Sequence, residues 1–269
     1  MKSLSRSKRG LSSSTLKLIA ISTMLIDHAG AALLGRFLMA AGYMDIAVSG
    51  SQEEIASWLA QNNTLYLAYW IMRLIGRIAF PIFCFLLIEG FQRTRDVKKY
   101  ALRLGVFALV SEIPFDLAIR SQALEFTYQN VYFTLFLGLV AMIGYDGICR
   151  RRWLSGKKAD QIVKLFLCAL TLLLCCMASE LLRTDYASAG ILCITILYVF
   201  RRKKPLMIAA GCIAFLWELT APLAFLPIAF YNGKRGLKLK YVFYLFYPVH
   251  LLLLYLIAMA LGVGGYPAL

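Results

Sequence analysis

Long blocks of apolar residues dominate this chain and limit it to few kinds of fold. The blocks run for about 15 to 25 residues, the length that an α-helix needs to cross the hydrocarbon core of a bilayer. Apolar side chains make up 61% of the 269 residues, against roughly 45 to 50% in soluble globular chains. Strands of membrane β-barrels are shorter and alternate polar with apolar residues. The sequence therefore predicts an all-α, polytopic transmembrane bundle.

The strong positive charge of the chain is distributed in a way that reports topology. A net charge of +15 would suggest nucleic-acid binding in a soluble protein. Here the basic residues cluster in alternate connections between apolar blocks, as they do in cytosolic loops of membrane proteins. We therefore place the N-terminus in the cytosol and the protein in the cytoplasmic (inner) membrane, in contact with the lipid bilayer and without a nucleic-acid partner. The clusters begin at Lys2, Arg93, Arg150, Arg201 and Lys234.

Together these signals predict about eight or nine spans in one domain. Residues 1–14 form a basic cytosolic segment, 15–262 the membrane domain and 263–269 a short external tail. The stretch Pro205 to Tyr231 is long for one span and short for two, so we expect a broken or re-entrant hairpin that breaks between Glu218 and Pro222. The other predicted spans are Thr15–Ala41, Thr64–Glu89, Tyr100–Ile119, Asn130–Cys149, Ile162–Leu182, Tyr186–Phe200 and Tyr241–Leu261.

Two histidines inside apolar blocks are the strongest functional signal. An ionisable group in hydrocarbon costs about 2.5 to 3.5 kcal/mol on insertion scales, so such groups usually face a bundle interior or a wet cavity. His28 and His250 lie roughly 20 and 15 Å from the cytosolic starts of the first and last spans, which makes a shared cavity feasible. Neutral imidazole suits a general base near pH 7 and also accepts an acyl group. The alternative for each is a hydrogen-bonded contact between helices.

Two arginines one turn apart are the predicted partners of the buried acids. Arg73 and Arg77 share a helix face, and Gly76 thins the helix beside them. A guanidinium suits a phosphate, a carboxylate or a developing oxyanion, and a purely structural ion pair is an equal alternative. Asp27 lies about 100° around its helix from His28, so we expect it to pair with another helix, where these arginines are the nearest candidates.

Prolines interrupt the apolar blocks next to two of these groups. Pro81 removes the amide that would bond the carbonyl of Arg77 and so predicts a kink there. Pro114 lies between Glu112 and Asp116, which share a helix face by i,i+4 spacing. These two carboxylates either pair with the arginines, which is the preferred interpretation, or hold a proton between them. The seven cysteines form no CxxC pair, and we expect neither a disulfide nor a metal site.

Five segments combine apolar runs with charged residues and prolines at fixed places. They are LSSSTLKLIAISTMLIDHAGA, MRLIGRIAFPIFCFLLIEGFQRTRDVKKYALRL, SEIPFDLA, NVYFTL and FYPVHLLLLYLI. Together they resemble the TraX family, which is named for a protein that acetylates the N-terminus of conjugative pilin. The resemblance extends from Leu11 to about Ile257. A weaker similarity extends to larger integral-membrane acyltransferases, which carry a histidine in the first span and an arginine pair soon after it.

The resemblance implies a membrane acetyltransferase with acetyl-CoA as donor, no bound cofactor, and a pilin-like protein or another envelope amine or hydroxyl as acceptor. His28 would be the base or transient acetyl carrier, Arg77 would stabilise the oxyanion or anchor the donor, and His250 would carry a second proton or position the acceptor. The residues expected to bind substrate or to position these three are Asp27, Arg73, Glu89, Glu112, Asp116 and Asn130.

Two other classes of function stay open at this point. A proton-coupled transporter would use the same buried acids and histidines as a relay, although no inverted repeat is visible in the sequence. A pilus or envelope assembly scaffold without chemistry would leave the buried charges without a role.

Overall fold

The computed structural model describes residues 10–237 and 240–269, so most of the predicted basic segment 1–14 lies outside the described residues. Within these ranges every regular element is helical, which confirms the all-α fold class. A π-helical segment, Gly30–Gly35, joins α1 to α2, and a 3-10 turn, Ala221–Ala224, precedes α11. The α-helices are α1 Ser13–Ala29, α2 Arg36–Ala40, α3 Tyr43–Ser49, α4 Gln52–Gly76, α5 Ala79–Arg93, α6 Val97–Arg120, α7 Val131–Arg150, α8 Lys157–Leu181, α9 Ala187–Phe200, α10 Lys204–Ala214, α11 Phe225–Ala229 and α12 Lys240–Ala260.

Five helical stretches in the described part of the chain are long and apolar enough to cross a bilayer, fewer than the eight or nine spans predicted. α6 is long enough but carries charged residues along its length, and α9 and α10 have only 14 and 11 residues. The fold is still that of a multi-pass helical membrane bundle. The five stretches are Ser13–Ala40, Gln52–Arg93, Val131–Arg150, Lys157–Leu181 and Val242–Ala260.

The second predicted span begins earlier than expected and is interrupted. Ser51 caps α4 by accepting the Glu54 amide, while the Glu54 carboxylate accepts the Ser51 amide, so the helix starts twelve residues before the predicted Thr64. The interruption lies at Arg77 and Ile78, between α4 and α5. Pro81 becomes the third residue of α5, where its missing amide needs no helical partner.

A broken hairpin occupies the stretch between Pro205 and Tyr231, as predicted. α10 ends at Ala214, and the chain turns through Glu218 before α11 returns. The two arms approach closely at Gly211, where an added Cβ would lie 2.2 Å from the Phe225 ring. At the base, the Lys204 ammonium donates to the carbonyls of Ala229 and Tyr231 at 2.8 and 2.9 Å.

The segment predicted as a short external tail packs onto the bundle. The fully buried Arg36 donates to the Gly264 carbonyl at 2.7 Å, and the Ala268 amide donates to the Ile119 carbonyl at 2.7 Å. The Tyr69 hydroxyl donates to the Leu269 carbonyl at 3.0 Å. Since buried backbone groups need partners, these bonds hold the tail against α4 and α6.

The two ends of the bundle differ in what closes them. At one end the amides of Ser13 and Ser14, which begin α1, donate to the carbonyls of Lys234 and Arg235. We call this the basic end, because α5, α7 and α9 also finish there at basic connections. The opposite end holds the packed tail and the connections between α6 and α7 and between α8 and α9. The largest apolar core lies between them and is formed by α5, α7, α9 and the hairpin.

Candidate functional site

His28 and His250 meet inside the bundle. Nδ1 of His28 lies 2.7 Å from Nε2 of His250, and the two rings are nearly parallel with 5.0 Å between centroids. His250 is buried and His28 is half-buried. Tyr247 contacts both rings edge-on, at 5.8 and 5.7 Å. The structure therefore brings together two of the three side chains predicted to be catalytic.

The hydrogen bonds of His250 assign the tautomer of both rings. Nδ1 of His250 lies 2.7 Å from the carbonyl oxygen of Phe246, and a carbonyl only accepts, so this nitrogen carries a proton. The neutral ring then presents an unprotonated Nε2, which accepts the Nδ1–H of His28. Nε2 of His28 consequently has a free lone pair. An imidazole held this way can remove a proton or attack a carbonyl carbon.

A cavity of about 390 Å³ leads from the basic end towards the histidine pair. Its inner wall includes Met24, one turn before His28 on the same face of α1, and Tyr247, which contacts both imidazoles. Its outer wall includes Ser13 and Leu237. From Ser13 to Met24 the cavity extends about 17 Å along α1. Its volume lies within the range of small-molecule binding sites.

Basic side chains predominate among the charged groups of this cavity. Lys17, Arg93, Arg103 and Arg235 line it, and Glu89 is the one acidic residue among those that line it. Positive charge concentrated in a concave, low-dielectric wall attracts anions and raises their local concentration. The outer half of the cavity therefore suits a phosphate-bearing ligand.

Glu89 lies at this outer part and not beside the histidines. Its carboxylate pairs with Arg93 at 2.7 Å and accepts the Tyr231 hydroxyl at 2.8 Å. The nearby Gly90 allows the Tyr100 hydroxyl to approach, since an added Cβ would lie 2.8 Å from it. Glu89 thus shapes the cavity entrance, and its role in binding substrate or in positioning the three residues predicted to be catalytic stays a prediction.

Asp27 pairs with Arg73, as predicted for an acid that points away from His28. The distance between Asp27 Oδ2 and Arg73 Nη1 is 2.5 Å. Gly76 makes this approach possible, because a Cβ there would lie 2.1 Å from Cβ of Asp27. Arg73 also interacts electrostatically with His28, so this pair fixes a guanidinium within electrostatic range of the imidazole.

Arg77, the third residue predicted to be catalytic, pairs instead with Glu218 at the tip of the hairpin. The distance between Arg77 Nε and Glu218 Oε2 is 3.0 Å. Arg77 also interacts with Tyr186 and with Asp27. It makes no hydrogen bond or ion pair with either histidine among the residues that the structure describes, so its direct role in catalysis stays a prediction.

The preferred interpretation of Glu112 and Asp116, as partners of the arginines, is wrong. The Glu112 carboxylate accepts from the buried Asn130 amide at 2.7 Å, and Asp116 accepts the Glu125 backbone amide at 2.8 Å. Each acid keeps one buried oxygen without a partner. Arg73 and Arg77 are already paired with acids of α1 and the hairpin, which explains why they do not reach α6.

Asn130 joins two helices. Its Oδ1 caps α7 by accepting the Tyr132 amide at 3.0 Å, and its Nδ2 donates to the Ala108 carbonyl and to Glu112. The N-cap side chain of α7 is therefore fixed against α6 in the turns that precede Pro114. Asn130 acts on the site through this packing and not by direct contact.

Three residues of the site were absent from the predicted set. Asp185 lies in a turn predicted as a connection between spans, Glu218 lies where the hairpin was predicted to break, and Tyr247 belongs to an aromatic stretch typical of a membrane interface. Glu218 had a usable signal, since it is a lone acid in a short apolar hairpin. Asp185 had none, because its position beside the arginines follows only from how α9 packs.

Asp185, which lies just before α9, is hydrogen-bonded to a tyrosine that lies just before α7. Its carboxylate accepts the Tyr128 hydroxyl at 2.6 Å. Burial raises the pKa of the Asp185 carboxyl to about 6, although the Tyr128 hydrogen bond acts in the opposite direction. No lysine or arginine of the described ranges lies within ion-pair distance of it.

Comparisons with known proteins agree on one family. The model of the TraX protein family matches residues 12–258. A curated relative, the probable fimbrial assembly protein FimC of Dichelobacter nodosus serogroup H1, is 30% identical over 260 residues, covering 89% of this chain and 92% of the relative. No solved structure matches the chain. The length of the family match and the extent of the relative's alignment lead to the same conclusion: the chain belongs to the TraX family.

Proposed function

We propose that this chain is an acetyltransferase of the cytoplasmic membrane, which moves an acetyl group from acetyl-CoA to an amine or hydroxyl of an envelope acceptor. The observation that carries the proposal is the hydrogen-bonded pair of His28 and His250 directly behind Tyr247, which lines the inner wall of a cavity with basic side chains. The N-terminus and the basic end face the cytosol, where acetyl-CoA is found. A pilin-like protein is the favoured acceptor, because the D. nodosus relative is named as a fimbrial assembly protein.

The cavity suits acetyl-CoA in length and in charge. The phosphates of the donor would bind the basic side chains of the outer half, among them Arg93, Arg103 and Arg235. Its chain would follow the mostly apolar wall along α1 and bring the thioester to Met24 and Tyr247. These two residues adjoin His28, so the acetyl carbonyl would arrive next to the histidine pair.

The transfer itself needs one base. Nε2 of His28 removes a proton from the acceptor as its nitrogen or oxygen bonds to the acetyl carbon, and the thioester C–S bond breaks. His28 then gives that proton to the departing thiolate, which leaves as CoA thiol. In the alternative route with a covalent step, Nε2 attacks the acetyl carbon and the C–S bond breaks to release CoA thiolate. The acceptor then attacks the same carbon, the bond from that carbon to Nε2 breaks, and the acceptor's proton passes through Nε2 to the thiolate.

The neighbouring groups support this proton transfer. The protonated His28 ring keeps its Nδ1–H bond to His250, which fixes the ring orientation in both protonation states. Arg73, held by Asp27, supplies positive charge near a developing oxyanion, and Arg77 contributes from its pair with Glu218. Glu112 acts through Asn130 and the start of α7, and Asp116 acts through the Glu125 amide in the connection before α7.

A first test is acetyl-CoA binding and slow thiol release by the purified protein in detergent. We expect saturable binding, and release that His28→Ala abolishes while leaving binding in place. Arg103→Gln should weaken binding roughly 10-fold, since a hydrogen bond to a charged group contributes about 1.5 to 3 kcal/mol. Arg120→Gln is the matched control, because Arg120 lies on the same helix at the opposite end and lines no part of the cavity.

Three outcomes would contradict the proposal. Absence of binding at millimolar acetyl-CoA, with solute uptake by proteoliposomes in its place, would favour the proton-coupled transporter. Binding with thiol release unchanged in His28→Ala would remove the assigned base. A His28→Ala, Arg77→Ala variant that supported pilus or envelope assembly normally would favour a scaffold without chemistry.

A further inference from the structure

A second cavity lies at the basic end, beside the first, and we call it the hairpin pocket. Its volume is about 320 Å³, and it lies between the end of α5, the connection from α9 to α10 and the segment that follows the hairpin. Glu89, Arg93 and Tyr231 line both cavities and therefore form the wall between them. The Glu89 carboxylate contacts Arg93 and accepts the Tyr231 hydroxyl, and Arg93 donates to the Gly233 carbonyl at 2.9 Å. These contacts close the wall, so each cavity holds its own ligand.

Two cations of the hairpin pocket have no acidic partner. Arg201 and Lys204 lie at the turn into α10 and are only partly exposed. No carboxylate of the described residues lies within ion-pair distance of either. Arg93 is the third basic residue of the pocket, and Glu89, its ion-pair partner, is the one acid among the lining residues. Three positive charges and one negative charge leave a net charge of +2, which favours an anion.

Both unpaired cations are fixed in place and keep donors for a ligand. The Arg201 guanidinium lies 3.6 Å from the centroid of the Tyr198 ring and donates to the Tyr198 carbonyl at 2.5 Å. The Lys204 ammonium uses two of its three protons on the carbonyls of Ala229 and Tyr231. Its third proton and the other N–H groups of Arg201 have no hydrogen-bond partner among the described residues. Charged donors of this kind suit the oxygens of a phosphate.

The surroundings of the pocket favour a phosphate carried by a lipid. Its wall includes the buried apolar side chains of Phe85 and Met207. Leu206 and Phe230, each next in the chain to a residue that lines the pocket, are 45% and 66% exposed. Exposed apolar side chains of a membrane hairpin face the acyl chains of the bilayer. Basic pockets at the cytosolic ends of membrane helices bind anionic lipid headgroups.

We propose that the hairpin pocket binds the phosphate of an anionic phospholipid of the cytosolic leaflet, and that Arg201 and Lys204 are its phosphate-binding side chains. The acyl chains lie along the exposed apolar residues of α10 and of the returning arm of the hairpin. Because the Glu89–Arg93 wall separates the two cavities, the lipid does not compete with a ligand of the first cavity. The inference goes beyond the proposed acetyltransferase activity and does not depend on it.

Lipid binding to the purified protein in detergent tests this inference and needs no catalysis. Native mass spectrometry counts the bound lipids, and the probes are phosphatidylglycerol and phosphatidylcholine with the same acyl chains. Arg201→Gln is the test variant. Arg202→Gln is the matched control, because Arg202 is the next residue of the same turn, carries the same charge, is exposed and does not line the pocket.

We expect the first phosphatidylglycerol to bind the wild-type protein roughly 10-fold more tightly than phosphatidylcholine, since its phosphate keeps its negative charge uncompensated. Arg201→Gln should remove most of this preference, because the variant loses a charged donor to the phosphate. Arg202→Gln should keep the wild-type preference. Millimolar inorganic phosphate should leave the lipid bound, and both variants should bind acetyl-CoA with the same affinity.

The same lipid preference in Arg201→Gln and Arg202→Gln would overturn the inference. Displacement of the lipid by inorganic phosphate would also overturn it and assign the pocket to a soluble phosphate. Weaker acetyl-CoA binding by Arg201→Gln, with the lipid preference unchanged, would overturn it in favour of the acetyl donor. If Arg201→Gln does not fold, Lys204→Gln replaces it, with Lys203→Gln as control, because Lys203 is an exposed neighbour that does not line the pocket.

Discussion

At the scale of single residues, one carbonyl determines the chemistry of the site. Phe246 accepts from His250, His250 accepts from His28, and the lone pair of His28 Nε2 is left for a substrate. The sequence predicted that both histidines lie at similar depth but did not rank them. The ranking follows from the order of these hydrogen bonds, which depends on the packing of α12 against α1.

This order makes His250 a positioning residue. We expect His250→Leu to reduce kcat for thiol release by roughly 100-fold with little change in KM for acetyl-CoA, because His28 loses the acceptor that fixes its tautomer. His250→Asn should restore part of kcat, since its amide oxygen accepts from His28. Steady-state kinetics of the two variants check this. Equal loss in both would indicate that His250 itself reacts with substrate.

Asp185 gives the fold a pH dependence of calculable sign. Its carboxyl has a folded-state pKa of about 6, above the usual 3.8, through burial. A raised pKa of an acid means that its contribution to stability is fully present below pH 4 and is lost as the pH rises through 6. We expect Tm in detergent to fall over this interval relative to Asp185→Asn. Parallel Tm profiles for the two proteins would contradict the burial of the carboxyl.

At the scale of elements, the contact between α1 and α4 depends on glycine. Gly76 faces Asp27, and Gly30 faces the side chain of Met72, where an added Cβ would lie 2.9 Å away. The sequence predicted that Gly76 thins its helix and that Asp27 pairs with another helix. It did not predict which arginine pairs with which acid, because Glu218 reaches Arg77 only through the hairpin turn.

Gly76→Ala should therefore separate the two helices. The added methyl group would overlap Asp27 and break its ion pair with Arg73. We expect the free energy of unfolding to fall by about 1 to 3 kcal/mol. Gly147→Ala on α7 is the control, since nothing lies within 4 Å of its added Cβ. Denaturation in detergent measures both variants. A Gly76→Ala protein as stable as the control would show that α1 and α4 tolerate a wider spacing.

At the scale of the whole molecule, apolar blocks and basic clusters predicted the helical bundle and the hairpin, because burial in lipid leaves few alternatives. They overestimated the number of spans. They also did not predict that residues 263–269 pack on the bundle, because the hydrogen bonds of this segment to Arg36 and Tyr69 join positions far apart in sequence. The acids of α6 were assigned the wrong partners for the same reason, since Asn130 and Glu125 reach them only after α7 packs on α6.

Transfer of labelled acetyl from acetyl-CoA to components of the native membrane tests the central claim most directly. Membranes that contain the wild-type chain supply the acceptor without its identity being known in advance, and membranes with His28→Gln at equal abundance are the comparison. The account predicts labelling of one or a few membrane components with the wild-type protein and none with His28→Gln. Equal labelling in both membranes would contradict it.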